Sequence, residues 1–254
     1  MGLILIGREP IPARFSHCVV GVMTMSIVQL HQREHRSILA GVERRALVWL
    51  AMRLPAGVSS DHLTLLGLTS MIAAGAAFAA VRVTPWGVVG VIAALAANWL
   101  GDSLDGTVAR VRDQQRPRYG FYVDHVIDLA GTACLLGGLA CSGRMSPLVG
   151  LSLLSAYLLV SAESYLATHA VGVFRISFAG VGPTELRIIL AIGAVEMIEN
   201  PWVSIGSVPP MRLFDAGGLV AIAGLTVVFV VSAVRNTLAL RRAEPLPAAD
   251  RQVA

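Results

Sequence analysis

A chain of 254 residues that is 55% hydrophobic and only 14% charged, with a mean hydropathy of +0.70, is too apolar for an ordinary soluble domain and belongs in a lipid bilayer. All 20 basic residues are arginine and the net charge is +4. They are scattered between apolar runs, which excludes the continuous basic stripe of a nucleic-acid binder and leaves fixed positive charge for lipid headgroups or phosphate.

Residues 1–37 are expected to form an N-terminal extension, partly disordered. Its apolar stretch Cys18 to Leu30 is too short to span and is followed by no clear small-residue cleavage site, and Met23 or Met25 is an alternative start. His31 and His35 lie four residues apart and read as a solvated interfacial pair rather than as metal ligands. Cys18, Cys134 and Cys141 have no metal-type spacing and read as small core residues. From Ile38 to Leu54, Leu39, Val42, Leu47, Leu50 and Leu54 alternate with Arg44, Arg45 and Arg53 behind Arg36. This amphipathic pattern suits either a helix lying in the membrane interface or one packed on the soluble side.

Six apolar segments follow: Leu63 to Val81, Trp86 to Leu100, Phe121 to Cys141, Leu148 to Thr168, Leu186 to Met197 and Ala216 to Val234. The fifth is short and is completed by Pro183 to Glu185, because proline suits a first helical turn. The expected architecture is an all-α integral membrane domain over residues 38–238, six transmembrane helices preceded by an amphipathic interfacial helix, with a cytoplasmic tail at 239–254. With both termini cytoplasmic, Arg82, Arg144 and Arg212 fall outside and the remaining arginines inside. The chain is therefore expected to be a multi-pass inner-membrane protein.

The second segment runs into Asp102 and Asp105, and the third carries Asp124 and Asp128. A carboxylate at a helix centre in lipid costs roughly 2.5–3.5 kcal/mol, less near the interface, so four of them need a reason. Helical spacing puts Asp102, Asp105, Gly106, Ala109 and Arg110 on one face, and Gly120, Asp124 and Asp128 on another. Asp128 lies about 12 Å along its helix from Gly120 at 1.5 Å per residue, so the two pairs can converge at similar depth on the cytoplasmic side. Two such anions 4 Å apart repel by about 4 kcal/mol at an effective dielectric of 20. Positive charge must sit between them, and an all-oxygen donor set favours Mg²⁺ or Mn²⁺, with Arg110 suited to a pyrophosphate. Gly106, Ala109 and Gly120 are points where either a nucleotide or a neighbouring helix approaches the backbone.

Asp102 to Asp128 reads DxxDGxxARx9Gx3Dx3D, which resembles the signature of the CDP-alcohol phosphotransferase, or CDP-alcohol phosphatidyltransferase, family. The resemblance implies a homodimer dependent on Mg²⁺ or Mn²⁺ that releases CMP. It implies that Asp102, Asp105 and Asp124 are metal ligands, that Asp128 completes the metal site and is the catalytic base, and that Gly106, Ala109, Arg110 and Gly120 line the CDP pocket. Ser60 to Leu65 resembles the family's PNxxT segment with Ser60 and Asp61 replacing Pro and Asn; Thr64 remains a cytidine-pocket candidate, and Asp61 is equally suited to be a helix N-cap.

The family resemblance favours CDP-diacylglycerol as donor and a small alcohol as acceptor. Asp124-His125 and Gly182-Pro183-Thr184-Glu185 are also similar to the branch that moves a CDP-linked aminoalcohol onto diacylglycerol, so the reverse arrangement stays open. Glu185, Arg116, Arg118, Arg175 and Arg187 are acceptor-side candidates; a first-turn acid such as Glu185 is also favoured by the helix dipole alone. Glu163 sits at the depth of the aspartates, as a site residue or a helix contact, and a 100° helical step turns His125 away from the face of Asp124.

Overall fold

The computed structural model describes residues 40–171, 183–204, 206 and 209–245; the N-terminal extension, Cys18, His31, His35, Arg175, Gly182 and the end of the tail lie outside the described residues. Among the described residues the chain forms helices α1 (Ala40–Arg53), α2 (Ser60–Ala80), α3 (Gly87–Val111), α4 (Pro117–Cys141), α5 (Pro147–Val171), α6 (Pro183–Glu199) and α7 (Leu213–Ala243). Two short strands, β1 (Trp202–Val203) and β2 (Met211–Arg212), pair antiparallel between α6 and α7. The fold is nearly all-helical, and this ladder is the one departure from the all-α expectation among the described residues. Its cause is the prolines Pro201, Pro209 and Pro210, which cannot continue a helix.

Among the described residues five helices, α2, α3, α4, α5 and α7, are long and apolar enough to cross a membrane. Helix α6, starting at Pro183 as its sequence suggests, has 17 residues and spans about 26 Å, short of a hydrocarbon core of roughly 30 Å. Helix α3 continues past Leu100 to Val111, so the whole first half of the signature is helical. Helix α7 runs beyond residue 238 to Ala243.

Local chemistry sets the helix starts. Ser59 caps α2: its hydroxyl accepts from the His62 N–H, and His62 Nδ1 accepts from the Ser59 N–H, a capping box with histidine in the place of glutamate. Asp61 is not the cap; it stands in the first turn and its carboxylate pairs with Arg116. Pro117 opens α4. Arg112 closes α3 by donating to the carbonyls of Leu54 and Pro55 at 3.0 and 3.1 Å and to that of Val58, which pins the α1–α2 connection.

The helices form a ring in the spatial order α2, α3, α6, α7, α5, α4, each packed on the next and α4 returning to α2. Helix α2 packs on both α3 and α4, which make no extensive contact with each other. Glycines permit the tightest crossings. A Cβ on Gly138 would lie 1.9 Å from the Gly75 carbonyl oxygen, and one on Gly101 would lie 2.7 Å from that of Leu63. One end of the ring is plugged by Ala74, Phe78, Val91, Leu95, Leu139, Met145, Met197 and Phe214, with Phe78 and Phe214 edge to face at 5.7 Å.

Helix α1 docks on the other end of α3, where Ala51, Leu47, Leu50 and Leu54 meet Leu63, Leu104 and Val108. Its apolar side thus packs on the bundle. Its outer side carries exposed Arg44, Arg45, Trp49 and Met52, and the Arg53 guanidinium lies 3.8 Å from the Trp49 ring centre.

Candidate active site

The apolar plug fills one end of the ring, and the signature residues occupy the end beside α1. Because α2 packs on both α3 and α4, the two acid-bearing helices stand on either side of it, and the space between them is the candidate cleft. Asp105 of α3 lies within electrostatic reach of both Asp102 and Asp124, and Tyr157 and Tyr165 of α5 lie within reach of Asp124 and Asp128. The four aspartates thus border one region, as their spacing suggests, with Asp128 exposed at its edge.

Asp105 and Asp102 are each held by side chains from other helices. Thr64 Oγ1 donates to Asp105 Oδ2 at 2.9 Å, so this cytidine-pocket candidate holds a carboxylate. The Gly106 N–H also donates to Asp105. Arg187, an acceptor-side candidate on α6, reaches Asp102: its Nη2 donates to Oδ2 at 2.8 Å while its Nε donates to Asn98 Oδ1 at 2.7 Å. A partly buried guanidinium on Asp102 offsets one of the four carboxylate charges.

The remaining candidates sit around the rim. The Arg110 guanidinium lies over Gly106, 3.3 Å from where a Cβ would stand, and donates to Thr107 at 3.1 Å. Ala109 is half-buried, and its carbonyl accepts from the Gln114 N–H at 2.9 Å. A Cβ on Gly120 would meet nothing within 4 Å, so that backbone is open to an incoming molecule. Arg116 is exposed, stacks 4.1 Å from the Tyr119 ring centre and pairs with Asp61, whose carboxylate raises its already high pKa. Arg118 and Glu185 are exposed, and Arg175 lies outside the described residues.

Glu163 is a helix contact: its carboxylate accepts from Ser232 and Asn236 of α7, both at 2.7 Å. His125 packs on Phe121 and Tyr165, with Nδ1 2.7 Å from the Phe121 carbonyl, and lies 3.8 Å from the Asp124 carboxylate, so the helical step does not take it clear of that residue.

Sequence reasoning missed Asn98 and the tyrosine wall of the cleft. Asn98, an amide inside an apolar run one turn before Asp102, had a readable signal. So had Tyr157, Ser161 and Tyr165, which recur every four residues along α5; Tyr157 hydrogen-bonds with Thr132 and Ser161.

The donor set is carboxylate oxygen throughout, which fits a hard divalent cation. Among the described residues no three acidic, histidine or cysteine side chains form one ligand shell; Thr64 and Arg187 engage Asp105 and Asp102. The carboxylates therefore fit the ion in the chemistry of their oxygens, without forming a ligand shell among the described residues.

No curated protein matches the chain. Among solved structures, the crystal structure of Mycobacterium tuberculosis phosphatidylinositol phosphate synthase with CDP-DAG bound is similar in fold, with a TM-score of 0.51 and 23% identity over 83% of this chain and 99% of that one. The family described as CDP-alcohol phosphatidyltransferase matches residues 58–231, from the start of the α2 cap through most of α7. On that match, which takes in both halves of the aspartate signature, the chain belongs to the CDP-alcohol phosphatidyltransferase family.

Proposed function

We propose that the protein transfers a phosphatidyl group from CDP-diacylglycerol to the hydroxyl of a small, anionic or polyol alcohol and releases CMP, as a phospholipid-synthesising enzyme. The observation that carries this reading is Arg187 anchored on Asp102. A fixed guanidinium inside the cleft suits an anionic partner and opposes the cationic head group of a CDP-linked aminoalcohol. The similar mycobacterial structure, which has CDP-DAG bound, is in keeping with the same donor.

In the proposed reaction the acceptor oxygen attacks the β-phosphorus of the donor. The bond from that phosphorus to the bridging oxygen breaks, and CMP departs with the electron pair. Asp128, exposed at the cleft edge, takes the hydroxyl proton. Arg110 over Gly106 and the open backbone at Gly120 bind the nucleotide end, with Ala109 lining the same face. Thr64 fixes the rotamer of Asp105. Mg²⁺ or Mn²⁺ held by Asp102, Asp105, Asp124 and Asp128 would supply neutralisation of the pyrophosphate charge. Arg116, Arg118 and Glu185 remain proposed acceptor-side residues. We further take the enzyme to be a homodimer in the inner membrane with its cleft toward the cytoplasm.

The test is to give purified protein CDP-diacylglycerol, CDP-choline or CDP-ethanolamine with a panel of alcohols and with diacylglycerol, measuring CMP and lipid product. Turnover is expected with CDP-diacylglycerol and a small alcohol, abolished by EDTA and restored by Mg²⁺ or Mn²⁺. Turnover confined to the CDP-aminoalcohols with diacylglycerol would replace this reading with the aminoalcohol transferase.

A further inference from the structure

Asn98 is 6% exposed, an amide placed inside an apolar helix where every unmet hydrogen bond is costly. Its Nδ2 donates to the Gly67 carbonyl of α2 at 2.9 Å, and its Oδ1 accepts from Arg187 Nε at 2.7 Å. These partners fix the amide orientation, since a carbonyl only accepts and a guanidinium only donates. The α2–α3 crossing at Gly101 brings the Gly67 backbone within reach. Asn98 and Asp102 lie one turn apart on α3, and the fork of Arg187 spans them, with Nε on the amide and Nη2 on the carboxylate. A lysine ammonium lacks that rigid fork.

We propose that Asn98 is a positioning residue whose amide holds the Arg187 guanidinium on Asp102, making Arg187 a built-in counter-cation that a divalent metal ion must displace from that carboxylate. Helix α6 supplies the charge, α3 the carboxylate, and α2, through Asn98, the anchor. Without metal, the pair relieves the repulsion between Asp102 and its neighbours Asp105 and Asp124. A metal ion held by Asp102 would take the place of Nη2 there, and the bond from Nε to Asn98 would keep the guanidinium in the cleft. The inference rests on the proposed metal-binding role of the aspartates.

The test uses the full chain in detergent without substrates, titrated with Mn²⁺ alone while the electron paramagnetic resonance signal of free Mn²⁺ is read. Arg187→Gln should bind Mn²⁺ about tenfold more tightly than the wild type, because one competing charge is gone. Asn98→Ala leaves that charge but loosens it, and should tighten binding by roughly threefold. The double variant should match Arg187→Gln, since Asn98 acts through Arg187. Arg187→Lys keeps the charge without the fork and should behave like Asn98→Ala. Unchanged or weaker binding by Arg187→Gln would overturn the proposal, and so would an Asn98→Ala effect that persists in the Arg187→Gln background. If Asn98→Ala does not fold, Arg187→Lys decides, with wild-type affinity counting against the bridge. Equal Mn²⁺ binding by all variants removes the counter-cation role alone; no Mn²⁺ binding by any of them, with EDTA-insensitive CMP release, removes the metal reading and this inference together.

Discussion

Asp102, Asp105 and Asp124 differ in what holds them, and substitution should expose the difference. Asp105→Asn and Asp124→Asn each remove a repelling charge and empty a ligand position, so folding should be preserved; Asp102→Asn also empties a position but leaves Arg187 without its carboxylate and should cost some stability. CMP release should fall by about a thousandfold or more in each variant, with the elution volume on gel filtration unchanged; substantial activity in all three would refute the metal assignment. Thr64 acts one bond away. Thr64→Val keeps shape but deletes the hydrogen bond to Asp105, and losing one bond to a charged group costs roughly 1.5–3 kcal/mol. A drop in kcat/KM of about tenfold or more is expected, with Thr64→Ser restoring most of it; equal activity in Thr64→Val and wild type would make the contact incidental.

At the scale of helices, the ring depends on where backbones touch. Gly137 and Gly138 are adjacent on α4, yet a Cβ on Gly138 would collide with the Gly75 backbone at 1.9 Å while one on Gly137 would meet nothing within 4 Å. Gly138→Ala should therefore lower the melting temperature in detergent, by a destabilisation of about 1–3 kcal/mol. Gly137→Ala should leave it unchanged or slightly raised, as alanine favours helix. Equal effects at the two positions would mean that α2 and α4 do not cross there. The contrast marks the limit of sequence reading. Apolar runs and prolines announced the helices and the start of α6, and the aspartate spacing announced two acidic faces on one cleft. Which helix faces meet is a tertiary property: nothing local says that α2 separates α3 from α4, that Glu163 bonds to α7, or that Arg187 crosses to Asp102. The cap of α2 falls two residues before Asp61 for a local reason, because Ser59 and His62 form a capping box.

Across the whole molecule, the ring separates two kinds of end, and its charge separates with them. Arg82, Arg144 and Arg212 sit in the connections that border the apolar plug, where Arg144 lies 3.5 Å from the Met197 carbonyl. Arg110, Arg112, Arg116 and Arg118 lie at the opposite end, beside the acidic cleft and the basic outer face of α1. Cytoplasmic loops retain arginine and anionic lipids on that leaflet attract it, so the arginine-rich end is expected to be the inner one. A nucleotide-activated donor made in the cytoplasm would then meet the cleft directly. The orientation can be read with single cysteines at Arg116 and Arg144 in a background lacking Cys18, Cys134 and Cys141. In intact cells a membrane-impermeant maleimide should label the cysteine at 144 and not the one at 116, and inside-out vesicles should give the reverse. Even if α6 lies within the membrane without crossing it, both positions precede it in the chain, and their sidedness depends only on α4 crossing. Labelling of both from one face would therefore refute the crossing of α4, and with it the assignment of the aspartate cleft to the inner leaflet.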